Sequence, residues 1–442
     1  AKEKKVFALN GSGVAPPGAS IDKVADRPCM PEHGAQSVTI PGAVDGWCRL
    51  LERFGTRPLA SLWGPAVAAA RDGYPVGESI AGVWAMMVKL LPRETAPELI
   101  ELLLPNGKPP AAGQLVRFPQ LATTLERVGR EGREGFYAGP VAEAIASTLT
   151  AGGVNTGAAD VGRQQSLWVD PLSVRYRGRD VLGLPPNSQS IVALLAFGIL
   201  EGYDLAAMEE STRLHHEIEA LRLGFEFAID NVGEPTAGML EKTRHAISPE
   251  GLDVLRRRIT DEASTPVRIA GGNTADTTYL CVIDADGNAV SLMTSICGAF
   301  GAGLLAGDTG IILNNRGSQF STRRGHPNAL APGRHPRHTI LPGMVLRNEV
   351  PEFVMGCIGL NNHPQGLVQM LVNTIDLGMN PQQAVDAARF RVVMTTDEVQ
   401  LDHGIPERIA YDLAARGHRL GDPTAFKGAA QMVRIHRGEA DV

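Results

Sequence analysis

The chain has 442 residues, 43% of them hydrophobic and 20% charged, and 42 basic against 48 acidic side chains leave a net charge of −6. A mildly acidic chain has no general electrostatic drive toward nucleic acid or anionic membrane, and an aromatic content of 5% argues against a base-stacking surface. The longest apolar run, residues 191–200 (IVALLAFGIL), is about half of the roughly 20 residues a membrane helix needs.

The chain opens on Ala1-Lys2-Glu3-Lys4-Lys5 and runs at once into Val6-Phe7-Ala8-Leu9, which reads as the end of a hairpin. With no Met and no secretory signal at this end, the natural N-terminus is expected to be missing, and a cytoplasmic location is assigned on that incomplete basis. Residues 48–54 and the Ala-rich stretch 65–72 read as helices, 86–130 as helix broken at prolines, and 140–151 as a helix stopped by Gly152-Gly153. Residues 166–176 and 180–184 read as strands, 185–187 as a turn, 189–201 as a buried helix and 206–226 as a long amphipathic one. Residues 228–276 are polar and turn-rich, with little periodicity.

The clearest strand pair follows. Residues 278–284 (TYLCVID) alternate, Asp286-Gly287 makes the turn, and 288–295 (NAVSLMTS) return. Residues 344–347 and 352–355 read as a second strand pair and 366–377 as a helix. Antiparallel hairpins with grouped helices favour an α+β fold over a doubly wound parallel sheet. Five scattered cysteines, Cys29, Cys48, Cys281, Cys297 and Cys357, read as free thiols.

Several motifs carry a bland and a functional reading. Gly11-Ser12-Gly13 reads as a turn, since no helix with a downstream acid follows. His215-His216-Glu217 reads as a solvated helix face, because His215 with Glu219 supplies only two ligands for a metal. Arg323, Arg324, Arg334, His335, Arg337 and His338 form a basic cluster, either a solvated loop or a site for a small carboxylate. At 271–278 a polar stretch meets the start of a core strand at Thr277. A threonine becomes a nucleophile when it is a chain terminus, because its α-amine, with a reference pKa of roughly 7.7–8.0, then serves as the base. That chemistry requires cleavage between Asp276 and Thr277. A plain β-forming threonine is the alternative.

Residues 276–320 (DTTYLCVIDADGNAVSLMTSICGAFGAGLLAGDTGIILNNRGSQF) closely resemble the start of the small subunit of the gamma-glutamyltransferase family, which belongs to the N-terminal nucleophile hydrolases. Residues 41–71, 135–146, 176–205 and 365–390 resemble other segments of the same family. The resemblance implies a four-layer αββα sandwich. It implies a precursor that cuts itself before Thr277 into parts 1–276 and 277–442, which stay interleaved in one domain and could assemble as a dimer of heterodimers. It implies neither metal nor organic cofactor, a small-molecule amide as substrate, and no nucleic-acid or membrane partner.

By the same resemblance, Thr277 is the nucleophile and Ser295 its hydroxyl partner. Gly359 and Leu360 fall at the family's oxyanion-forming Gly-Gly pair, so a leucine stands where a position needing φ > 0 would strain it. Asn315, Arg316, Gln319, His338 and Thr339 are carried as the substrate-binding set. Two charges of the family's glutamyl clamp are replaced here, by Ser12 and by Gln319, so gamma-glutamyl compounds are expected to be poor substrates. The run 314–318 and the run 338–342 resemble the branch containing oxamate amidohydrolase. Arg316 is placed either to bind a substrate carboxylate or to pair with a nearby acid. The expected activity is hydrolysis of a small, oxamate-like acid amide. A glutathione hydrolase or transferase, and an inactive or truncated homologue, are the alternatives.

Overall fold

The structure is a computed structural model and describes residues 3–91, 95–264, 276–423 and 428–435. The polar stretch 271–275, singled out in the sequence, lies outside the described residues, as do the proline at 92 and residues 441–442. Strand β1 (Ala8–Asn10) does not close a hairpin with its neighbours. It pairs antiparallel with β2 (Leu167–Val169), more than 150 residues away in the chain.

A five-stranded antiparallel sheet forms the centre. Its first two strands are β3 (Leu172–Tyr176) and β4 (Arg179–Gly183), joined by a tight turn. Helix α1 (Ser190–Leu200) follows, buried at every position, as its apolar run requires. Helix α2 (Glu210–Asn231) comes next. The hairpin of β5 (Asp276–Ile283) and β6 (Ala289–Cys297) forms as its alternation and Asp-Gly turn predict. Strands β7 (Gly343–Arg347) and β8 (Val350–Cys357) pair as predicted, helix α3 (Asn362–Ile375) follows, and β9 (Ala430–Arg434) ends the sheet. The strand order is β9-β8-β7-β4-β3, so strands from both sides of residue 277 share one sheet.

Adjacent residues of a strand face opposite ways. At the end of β8, a side chain on Gly356 would strike the ring of Tyr279 in β5, whereas the Cys357 sulfur touches Gly366 of α3. The central sheet is therefore covered by helices on one face and by the β5–β6 ribbon on the other. The α+β class holds. The second sheet of the expected sandwich is not seen whole: among the described residues, this ribbon is two-stranded.

Three readings change. Residues 228–276 include two helices, Ala237–Ala246 and Pro249–Arg256, whose starts are capped by the Thr236 and Ser248 hydroxyls. The long helix is α2, shifted toward the C-terminus, and it is not simply amphipathic. Arg213, His215, Glu217, Glu219 and Arg222 are all buried in it. The solvated-face reading of His215-His216-Glu217 is thus overturned at His215 and Glu217, because α1, α3 and the helix Glu407–Ala415 pack around α2, while Arg213 pairs with Glu217 and Arg222 with Glu219 inside α2 itself. All five cysteines are free thiols, and no helix among the described residues is long and apolar enough to cross a membrane.

Candidate active site

The β5–β6 ladder sets Thr277 opposite Ser295, with an irregularity in register between Asp276 and Thr277. Such bulges re-aim side chains. The buried Thr277 hydroxyl donates to Ser295 Oγ at 2.9 Å. Ser295 Oγ also accepts from the Cys297 backbone N–H at 2.9 Å and from Arg316 Nη2 at 3.2 Å. The nucleophile candidate is thus one hydrogen bond from a hydroxyl that itself touches a guanidinium.

Arg316 is 2% exposed. Its backbone N–H binds Asn314 Oδ1 at 3.0 Å, and its Nη1 donates to Thr339 Oγ1 at 2.6 Å. Among the described residues no carboxylate pairs with it, and its Nε has no partner. The ion-pair alternative is therefore not what is seen. Asn315 is a loop staple, accepting from Gly298 N–H at 2.7 Å and donating to the Glu32 carbonyl at 2.8 Å. Gln319 lies beside Arg337, whose Nη2 donates to Oε1 at 3.4 Å. Ser12 is buried and exchanges hydrogen bonds with Asn187, so both positions of the missing clamp charges carry neutral groups.

Gly359 has φ of 127° and Leu360 of 55°, so the leucine does occupy a conformation that suits glycine. Among the described residues, no acceptor takes the backbone N–H of either one. Such a pair of uncommitted donors can meet an oxyanion. Two residues the sequence reading passed over hold this corner. Gln189 Nε2 donates to both the Thr339 carbonyl at 2.9 Å and the Leu360 carbonyl at 3.2 Å. His363, at the start of α3, contacts the Thr339 carbonyl through Nδ1 at 2.9 Å, so Nδ1 carries the proton and the buried Nε2 is bare. Its place three residues after Leu360 was the one available signal.

Burial and the nearby Arg316 charge hold His338 well below the ordinary imidazole range and His363 down to about 3. Both are neutral at pH 7. Burial and Arg316 push Arg337 down to about 10, still fully cationic at neutral pH. The basic cluster of the sequence splits in two: Arg323, Arg324 and Arg334 lie in solvent, while Arg337 and His338 join Arg316 inside, and His335 pairs with Glu234 at 3.0 Å.

Away from this site, His418 joins His215 and Glu219, giving three possible metal ligands within 4.8 Å of one another, one more than the sequence showed. Their atoms are already committed. His215 bonds His418 at 2.8 Å and the Thr260 carbonyl at 2.7 Å, and Arg222 bonds Glu219 at 2.9 Å and His418 at 3.3 Å. A cation here would face that fixed guanidinium charge.

The profile of the family described as gamma-glutamyltranspeptidase matches residues 1–442. The chain belongs to the gamma-glutamyltranspeptidase family. It is 30% identical over 459 residues to the glutathione hydrolase-like YwrD proenzyme of Bacillus subtilis, covering 98% of this chain and 83% of that protein. It is 29% identical over 421 residues to the oxamate amidohydrolase proenzyme of Klebsiella pneumoniae, covering 94% and 79%. The crystal structure of a cephalosporin acylase from Bacillus halodurans superposes with a TM-score of 0.90 at 33% identity, over 98% of this chain and 81% of that one. As a gamma-glutamyltranspeptidase family member the chain is a proenzyme of the amidohydrolase and transpeptidase type. The oxamate branch is one of several comparable matches within the family, not a branch singled out.

Proposed function

We propose that this chain cuts itself between Asp276 and Thr277 and then hydrolyses a small amide whose acyl part carries a carboxylate, as in oxamate. Cleavage makes the Thr277 nitrogen a free α-amine next to its own hydroxyl. That amine takes the hydroxyl proton as Oγ1 attacks the amide carbonyl, and returns it to the departing ammonia. The Gly359 and Leu360 N–H groups receive the oxyanion. Water then cleaves the acyl-threonine ester and regenerates the hydroxyl. The parts 1–276 and 277–442 stay together, a reading supported by the shared sheet in which β4 of one pairs with β7 of the other.

The observation that carries this reading is the chain Thr277–Ser295–Arg316, which ends in a buried guanidinium with no carboxylate among the described residues. A carboxylate bound by Arg316 lies close to the nucleophile, as a short acyl group demands. The similarity to the oxamate amidohydrolase points the same way. Neutral Ser12 and Gln319 speak against a zwitterionic glutamyl group, although glutathione hydrolases are among the relatives.

The test combines a denaturing gel with assays of ammonia release from oxamate, malonamate and succinamate and of aniline release from a gamma-glutamyl anilide. Two bands split after Asp276, with fastest turnover on the short anionic amides, is the expected result. Preference for the anilide would make the enzyme a glutathione hydrolase, and one uncut, inactive band would make it an inactive homologue.

A further inference from the structure

Arg316 is not the only guanidinium enclosed here. Arg337 is 6% exposed, and among the described residues its side chain has one hydrogen-bond partner, Gln319 Oε1 at 3.4 Å through Nη2. Its backbone N–H is held by Asn328 Oδ1 at 2.8 Å, so the loop fixes its place independently of its charge. Among the described residues its buried Nη1 has no hydrogen-bond partner, nor has the buried Nε of Arg316. The turn Arg316–Gln319 and the segment 337–339 are tied together twice, by Arg316 Nη1 to Thr339 Oγ1 at 2.6 Å and by Arg337 Nη2 to Gln319 Oε1 at 3.4 Å, so the two guanidinium groups lie at one junction. His338 and His363 are neutral and supply no counter-charge.

Two enclosed cations that pair with no carboxylate among the described residues are unfavourable unless something anionic joins them. Each offers one N–H direction that the protein leaves unused. A carboxylate has two oxygens, each able to accept one such donor.

We propose that Arg337 is a second specificity-determining residue, which together with Arg316 clasps a single carboxylate of the acyl group. Arg316 donates from Nε and Arg337 from Nη1. The clasp rests on the amidohydrolase reading above and narrows its substrate class. Because Arg316 already touches Ser295, the clasped carboxylate sits near the scissile carbonyl. Acyl groups of two or three carbons fit, and longer diacid monoamides overshoot.

The experiment uses processed wild-type protein, Arg337→Met and Arg337→Lys. Oxalate and malonate binding is measured by calorimetry, and KM and kcat are measured on oxamate and on a neutral amide of the same size. Arg337→Met should bind oxalate at least about tenfold more weakly and raise KM for oxamate by a similar factor. Its kcat should change little, its rate on the neutral amide should hold, and Arg337→Lys should recover part of the binding. Should Arg337→Met fail to fold, Arg337→Gln carries the same expectation.

Unchanged oxalate affinity and KM in Arg337→Met would overturn the clasp while leaving the amidohydrolase reading intact. Wild-type protein that binds no oxalate would also overturn it. Wild-type protein that binds oxalate through Arg337 but hydrolyses no amide would support the clasp and sink the amidohydrolase reading.

Discussion

Thr277 and Ser295 are cross-strand partners whose hydroxyls meet at 2.9 Å, in the one hairpin of the chain that begins at the proposed cleavage point. Thr277→Ala removes both the attacking oxygen and its hydrogen bond. It should leave one band at 47.0 kDa and no amidase activity. Thr277→Ser keeps a hydroxyl and should still be cut. Ser295→Ala removes only the acceptor, worth about 1 kcal/mol, and should slow cleavage about fivefold to tenfold. Cleavage of Thr277→Ala at this junction, seen by mass spectrometry, would exclude Thr277 as the nucleophile.

Leu360 combines a φ of 55° with burial of its side chain. Comparing two truncations separates the terms. Leu360→Ala and Leu360→Gly both lose the buried side chain, but only glycine relieves the left-handed backbone. The glycine variant should therefore be more stable than the alanine variant by about 1 kcal/mol in urea denaturation. Equal stability would mean that the backbone there carries no strain.

Buried histidines make stability depend on pH. Folding holds His338 well below the ordinary value and His363 and His418 down to about 3, chiefly by burial. Between those values and about 6.5 the unfolded chain binds more protons than the folded one, so stability falls as pH falls through this window. Glu217 opposes this. Burial raises it to about 7, so from there down to its unfolded value the folded chain holds the extra proton. His215 and His326 are lowered as well, so the histidines outnumber Glu217 and the net effect between roughly pH 6.5 and 4.5 is a loss of stability as pH falls. Chemical denaturation at pH 7, 6 and 5 checks the sign, and rising stability toward pH 5 would contradict it.

Arg222 ties Glu219 at 2.9 Å and Asp397 at 3.1 Å into the interior beside α2. Arg222→Met removes the cation that these two buried carboxylates share. It should cost about 3–5 kcal/mol and lower the melting temperature by several degrees, while the Thr277 hydrogen bonds remain. A thermal melt unchanged from wild type would show that the carboxylates find other partners.

Local sequence was enough for the parts whose structure depends on near neighbours. The alternation and Asp-Gly turn of 276–297 specify a hairpin with Thr277 on its first strand, and the apolar run of α1 specifies a helix buried all round. The resemblance in that hairpin also indicated the family. Only the tertiary structure decided which charges are inside and what they meet. Residues 215 and 219 look like a solvated helix face until α1, α3 and the Glu407–Ala415 helix close over them. Arg337 looks like one cation in a basic loop until its neighbours Arg323, Arg324 and Arg334 are seen in solvent and it is not. Gln189 reaches Leu360 across 171 residues. Periodicity reports the face of one element, whereas the protonation and partners of a buried polar group depend on residues brought together from distant parts of the chain.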